Sequence, residues 1–394
     1  MLLETAGGVA HLGYCTNIHP AESAPEVLAS LKRYLPQVKR RVSPEAPMGV
    51  GLRLGAKAAA ALDGGELKAL FDRLGCYVFT VNGFPYGPFH GRPVKEADYR
   101  PDLSQPERLA YTTGLADLLA ALLSQGCAGS LSTVPVTFKA WADDAAIAAA
   151  VANLVDCAAQ LWRLEQATGR YVSLALEPEP CCYLETIAEA VAFFEGRLFA
   201  PGAAGRFAAA TGLARGEAQD ALTRHLGLCY DVCHAALEFE DPDESFAALE
   251  AAGIAVAKLQ ISAALRLPRV DRQSVEALAG FDEAVYLHQV VARRNGGLMR
   301  YTDIPEAVAA LVGRPADEWR VHFHVPVFLE GIDPFATTQP FLAAVLERQR
   351  TRPVTEHLEV ETYTWDVLLP ELRQESLAAS IARELDWVKR RLTA

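Results

Sequence analysis

The sequence predicts an α/β fold: a (β/α)8 barrel with an inserted hairpin and an extra strand between the last two barrel strands. Three observations carry that prediction. Short apolar runs alternate with helical stretches from one end of the 394-residue chain to the other, the pattern of a mostly parallel sheet. Three of those runs stop abruptly on carboxylates: LALEPEP (174–180), LGLCYDVCH (226–234) and LEVETYTW (358–365). No GxGxxG turn follows the first strand and no Walker-type GxxxxGK loop is present, which counts against an open, doubly wound sheet.

The first strand is His11–Ile18; His19-Pro20 breaks the run, and Ser23 opens a helix with Val27, Leu28, Leu31 and Leu35 on one face. Pro36 should end or bend that helix. Met48–Leu54 reads as the second strand, followed by a helix from Ala56 to about Leu74, and the β-branched, aromatic run Cys76–Val81 as the third. Asn82–Gly91, rich in Gly, Pro and aromatic residues, has the composition of a functional lid. Ser104 and Glu107 make a capping-box pattern for a helix that stops at Gly126. Gly129–Val134 is the fourth strand, and a helix from about Asp143 to Thr168 ends on a Gly169 cap.

Tyr171–Leu176 is the fifth strand. A helix at 184–195, a Gly/Ala-rich stretch at 200–211 that reads as a surface insertion, and a helix at 217–225 lead to the sixth, Leu226–Asp231. An acidic stretch and a helix to Gly253 precede the seventh, Ile254–Ser262. Plain alternation then breaks. Tyr286–Ala292 and Leu298–Tyr301, joined through Asn295-Gly296, read as a hairpin. Arg320–Val327 and His357–Thr364 bring the count to nine candidates besides the hairpin, one more than a barrel closes with. Helices at 339–348 and 376–392 fill the rest, and the chain is taken as one domain, 1–394, with 283–328 inserted in it.

The composition, 51% hydrophobic and 22% charged, is that of a globular protein. A net charge of −12 argues against nucleic acid as the main partner, since neutralising phosphates needs clustered Lys and Arg. The first residues lack the basic and apolar regions of a signal peptide, and no uninterrupted apolar run approaches ~18 residues. A cytoplasmic protein without a membrane span, acting on a small-molecule metabolite, is the expectation. The eight Cys are dispersed with no paired CxxC pattern, so reduced, packed thiols are expected.

In a (β/α)8 barrel the active-site groups stand at the C-terminal ends of the strands. That rule collects His19, Asn82, Glu177, Glu179, Asp231, His234, Gln260, His322, His324, Glu359 and Glu361. Alternation makes Glu177/Glu179, Lys258/Gln260, His322/His324 and Glu359/Glu361 same-face pairs. A lone strand-end Glu is ordinarily a loop residue or a cap, and Asp231-x-x-His234 alone is also an N-cap pattern. Recurrence at three strand ends favours one shared cup. Converging carboxylates raise one another's pKa, and a divalent cation (Mn²⁺, Mg²⁺, Co²⁺ or Zn²⁺) removes the conflict.

With Asp231-Val232-Cys233-His234 at a strand end, Glu177 on the strand before it and Glu361 on the last, the chain resembles the xylose-isomerase-like TIM-barrel superfamily. That superfamily holds sugar-phosphate isomerases and epimerases and, more distantly, apurinic endonucleases. The blocks HLGYCTNIHPAE (11–22), VNGFPYGPFHG (81–91), LEPEP (176–180), KLQISAAL (258–265), YLHQVV (286–291), VHFHVPVF (321–328) and LEVETYTW resemble the EboE-type metabolite-traffic proteins within it. Those proteins are associated with handling a secondary-metabolite precursor.

The resemblance implies a metal-dependent isomerase or epimerase acting on a small polyol or sugar-like compound. Glu177, Asp231, Gln260, His324 and Glu361 are the expected metal ligands, and Glu177 and Glu361 also exchange a proton with substrate. His234 and Arg266 are expected to hold substrate, joined by His19, Asn82 and, from the lid, His90. The chain departs from the epimerase pattern at Gln260, where a His is expected. Either Gln260 ligates a hard cation through its amide oxygen, or His322 and His324 supply the imidazole, an arrangement similar to the additional metal site of the endonuclease branch. An endonuclease-type metal phosphodiesterase and a non-catalytic metabolite carrier on the same fold are the alternatives.

Overall fold

Strands β1 (Leu2–Thr5) and β2 (Gly8–Tyr14) form an antiparallel hairpin, and β2 is the first barrel strand. The structure, a computed structural model, describes residues 1–91, 93, 95–311, 316–370, 373 and 375–393. After β2 come β3 (Met48–Arg53), β4 (Cys76–Asn82), β5 (Gly129–Thr133), β6 (Val172–Leu176), β7 (Leu226–Asp231) and β8 (Ala255–Ile261). Each strand from β4 to β8 lies parallel to the one before it. The chain then makes β9 (Ala264–Leu267), β10 (Val290–Arg294), β11 (Gly297–Tyr301), β12 (Glu318–His324), β13 (Gly331–Ile332) and β14 (Phe335–Thr337). Finally β15 (His357–Val360) inserts parallel between β8 and β2. A parallel bridge from Cys15 to Gly51 ties β2 to β3 and closes the ring. Every residue of β3, β5, β6, β7 and β15 is buried, as expected of strands covered on both faces.

The helices differ from the sequence expectation where tertiary packing overrides a local signal. Ala24–Val42 runs through Pro36 instead of ending there, because Val38 and Val42 beyond it continue the buried stripe of Val27, Leu31 and Leu35. The 56–74 stretch divides into Ala56–Ala59 and Gly64–Leu74, since Asp63 accepts from Glu66 N and starts a second helix. Ser104 does not cap the next helix: it hydrogen-bonds Asp102, and Gln105 stands at the cap of Pro106–Leu122. The Gly/Ala-rich stretch is no loose insertion but the helix Pro201–Thr211, which buries Ala203, Ala204 and Phe207. It packs on Asp144–Thr168. That helix is long and apolar enough to cross a membrane by length and composition, yet it is the crossover from β5 to β6 and buries Ile147, Leu154 and Leu161.

The second sheet has the order β11-β10-β12-β9-β14-β13, antiparallel throughout. It spans 264–337, past both ends of the 283–328 segment, in which residues 312–315 lie outside the described residues. The surplus ninth strand candidate is β12, paired with β9 and β10 in this sheet rather than in the barrel. The sheet leans over the C-terminal end of the barrel, so that His324 at the end of β12 reaches the backbone of Glu361 just after β15.

Candidate functional site

The cup forms where β4, β6, β7, β8 and β15 end. Asp231 closes β7 and also caps the helix Val232–Leu237. Its Oδ1 accepts from His234 N (3.1 Å) and Ser262 Oγ (2.7 Å), and its Oδ2 has no partner. Glu177 follows β6 and leaves Oε2 unpartnered. Glu361 follows β15; its Oε1 accepts from Asn17 Nδ2 (2.6 Å) and Asn82 Nδ2 (2.8 Å), its Oε2 from Gln260 Nε2 (2.7 Å). Ligand oxygens of Glu177, Asp231 and Glu361 lie within 4.8 Å of one another, all three residues buried.

This proximity has an electrostatic consequence. Burial, then Glu361 and Asp231, pushes the Glu177 carboxyl well above the usual carboxylate range. Burial and Asp231 lift Glu361 to about 8. Gln260 Oε1 and Asn17 Oδ1 are also buried without a partner. Orphaned buried oxygens on this scale are costly, and an acidic, all-oxygen donor set is what a hard divalent cation binds. The residues fit such an ion, and Gln260 Oε1 is an amide oxygen with no other partner.

Against this carboxylate side stands a histidine side. His234 Nδ1 donates to Pro178 O (2.9 Å), His324 Nδ1 to Glu361 O (2.8 Å) and His322 Nδ1 to Gln289 Oε1 (2.8 Å). The Gln289 amide is oriented by its Nε2, which donates to Tyr99 Oη (2.7 Å) and Glu179 Oε1 (3.0 Å). Carbonyl acceptors at each Nδ1 place the ring proton there, so the three Nε2 atoms present lone pairs. Those atoms converge: His234 to His322 is 3.2 Å and His322 to His324 is 3.3 Å. Burial holds the His322 ring well below its ordinary pKa and lowers His324 to about 4, so both are neutral at pH 7. Lone pairs facing at this distance repel unless a cation lies among them. A tetrahedral ion with metal–nitrogen bonds of about 2.0–2.1 Å has ligand nitrogens about 3.3–3.4 Å apart.

Of the other residues singled out in the sequence, Asn82 joins the cup through Glu361. His19 does not line it: the ring stacks on Tyr34 at 4.0 Å and bonds Tyr14 Oη. His90 lines a separate hollow with Glu22, 3.9 Å away. Arg266 stays on β9, its guanidinium paired with Glu318 at 2.8 Å. Glu179 lies on the histidine side, accepting from Tyr99 Oη (2.7 Å). Sequence reasoning passed over Asn17, Ser262, Tyr99 and Gln289. Asn17 has a signal in hindsight, a polar residue at the end of the first strand, where His19 drew the attention. Gln289, in YLHQVV, is a lone amide inside an apolar run.

Glu177, Glu361, Asn17 and Asn82 line a cavity of about 70 Å³ together with Phe84, Phe89, Tyr286 and Tyr363. The sequence matches no protein-family model and no curated protein. Among solved structures the chain is similar to the 3-keto-D-glucoside 4-epimerase YcjR from E. coli, at 12% identity over 97% of this chain and 99% of that one (TM-score 0.45). It is similar to the IOLI protein solved with a bound zinc atom, at 12% identity over 97% and 98% (TM-score 0.47). A xylose isomerase domain-containing protein from Salmonella typhimurium LT2 is similar at 14% identity over 100% and 98% (TM-score 0.42).

Proposed function

We propose that this chain is a divalent-metal-dependent isomerase or epimerase acting on a small polyol or sugar-like metabolite. The observation that carries the reading is the set of three converging buried carboxylates with Glu177 Oε2, Asp231 Oδ2 and Gln260 Oε1 left unpartnered. Glu177, Asp231, Gln260 and Glu361 hold the ion. Such an ion would supply Lewis-acid polarisation of a substrate carbonyl, which acidifies the carbon alpha to that carbonyl. Glu177, with one carboxylate oxygen unpartnered in the cup, would remove the proton from that carbon. Glu361, held by three amide N–H donors, faces the substrate from another strand end and returns it. His234, its ring fixed by Pro178 O, orients a hydroxyl.

The test is elemental analysis of purified protein together with turnover of a panel of unphosphorylated ketoses and polyols by Glu177→Gln. We expect about one divalent ion per chain, and turnover lost while the fold and ion are largely kept. Full activity in Glu177→Gln overturns the proton-transfer role. Ligand binding without turnover in the wild type points instead to a metabolite carrier, the role that the resemblance to EboE-type proteins implies.

A second reading rests on the convergence of the His234, His322 and His324 lone pairs. Asp231, His234 and His324 have ligand atoms within 4.8 Å of one another and would hold an additional ion, and a second ion beside the first suits phosphodiester hydrolysis. The same elemental analysis separates the readings. Two or more ions per chain with cleavage of a phosphodiester favours the second, and a single ion with isomerase activity the first.

A further inference from the structure

The cavity above the cup is lined by polar groups and by an aromatic wall, and its described carboxylates outnumber its one described cation. Phe89 comes from the 82–91 loop, Tyr286 from the segment before β10 and Tyr363 from the turn after β15. Their ring centroids form a triangle, 5.1 Å from Phe89 to Tyr286, 5.3 Å from Phe89 to Tyr363 and 4.9 Å from Tyr286 to Tyr363. Tyr363 lies 4.5 Å from the His324 ring, so the wall begins where the floor ends. Aromatic faces take flat apolar groups and the C–H faces of sugars.

The carboxylates lining the cavity include Asp98, Glu177, Glu179 and Glu361. Lys95 is the one cation among the described lining residues, and it is paired with Asp303 at 2.5 Å. Two buried guanidinium groups, neither among the lining residues, make most of their hydrogen bonds to the loop backbone and leave only Arg53 Nε and Arg108 Nη2 unpartnered. Arg53 is buried on Glu22 and the Gly87 carbonyl, and Arg108 donates to the carbonyls of Pro101, Gly83 and Phe84. A phosphate or carboxylate entering this space would lose water and meet, among the described lining residues, carboxylates and a single ammonium already paired with Asp303.

From this partition we infer the substrate class: an uncharged polyol that carries a planar or apolar substituent, hydroxyls on the cup and substituent against the Phe89/Tyr286/Tyr363 wall. The inference rests on the proposed metal-binding polyol site and adds to it the exclusion of phosphorylated sugars.

Calorimetric titration of the Mn²⁺-loaded protein with phenyl β-D-glucopyranoside, methyl β-D-glucopyranoside and glucose 6-phosphate tests it. The phenyl glycoside is expected to bind at least about tenfold tighter than the methyl glycoside, and the phosphate weakest of the three. Tyr286→Leu and, separately, Tyr363→Leu are expected to cut the phenyl-to-methyl ratio to about threefold or less. Glucose 6-phosphate binding tightest, a wild-type ratio near one, or no binding by any probe overturns the substrate class. Mn²⁺ binding followed by electron paramagnetic resonance on wild type and Asp231→Asn is read separately. Mn²⁺ bound by wild type and lost in the variant keeps the cup reading even where the substrate class fails, and no bound Mn²⁺ in the wild type overturns the cup itself.

Discussion

Strand β8, and β15 with the residue that follows it, each place two polar residues on one face, a layer apart, and the two layers are built on opposite principles. In the lower layer Lys258 and Glu359, both fully buried, form an ion pair. Gly51 makes room for it: a Cβ there would fall 1.6 Å from Glu359 Oε1. In the upper layer Gln260 and Glu361 meet Glu177 and Asp231, and the neighbours are amides rather than cations. Amide donors fix where Glu361 points without neutralising it. Burying a charge without a counter-charge is expensive, so a chain that does it in one layer and avoids it in the next has left a place for an ion from outside. The lower layer is neutralised by the chain itself, and the upper layer, on the function proposed above, would be completed by a bound ion.

That contrast breaks most visibly at Lys258. Lys258→Met leaves Glu359 buried with no counter-charge and should cost about 3–5 kcal/mol in denaturant unfolding. Lys258→Met with Glu359→Leu removes both charges and should recover most of the loss. A single Lys258→Met as stable as wild type would mean that the lower layer tolerates an unpaired carboxylate as the upper one does.

The upper layer should answer in the opposite direction. Asp231→Asn keeps an Oδ1 acceptor for His234 N and Ser262 Oγ while removing one charge from the three-carboxylate cluster. The metal-free variant should be as stable as wild type or more so, by about 1 kcal/mol. Its affinity for Mn²⁺ should fall by about a hundredfold, read by competitive titration against a chelating dye. A large loss of metal-free stability would make Asp231 a structural cap first.

The layers also explain what was legible in the sequence. Eight barrel strands could be read because each buried run is apolar, and Glu177, Asp231 and Glu361 because a carboxylate ending such a run has no packing reason to be there. What pairs with what was not legible. Lys258/Gln260 and Glu359/Glu361 have the same alternation, and only three-dimensional register separates a neutralised layer from an open one. Arg266 was misplaced for a related reason: it follows β8 closely in sequence, but β9 turns into the second sheet, where Glu318 on β12 takes the guanidinium. The second sheet was undercounted because β9, β13 and β14 are strands of four, two and three residues, too short to show a period. Asn17, Ser262 and Gln289 act through one hydrogen bond or a few each, which no local pattern announces.

Glu384 sharpens the comparison as an intermediate case, a buried carboxyl with donors but no cation. It stands on the helix Leu377–Thr393. Its Oε1 accepts from Thr362 Oγ1 (2.6 Å) and Val327 N (3.2 Å), and its Oε2 from Trp365 Nε1 (3.2 Å). Burial outweighs those donors and lifts its pKa from 4.5 to about 7. A carboxyl whose folded-state pKa lies above its unfolded value favours folding most when protonated. Its contribution is therefore full below pH 4.5 and is lost as pH rises through about 7. Wild type should lose about 1–3 kcal/mol more stability than Glu384→Gln between pH 5 and pH 8, measured by urea unfolding of both proteins without metal. Parallel pH profiles would show that three hydrogen bonds are enough to hold a buried carboxylate, and would weaken the case that the cup, with its orphaned oxygens, needs an ion.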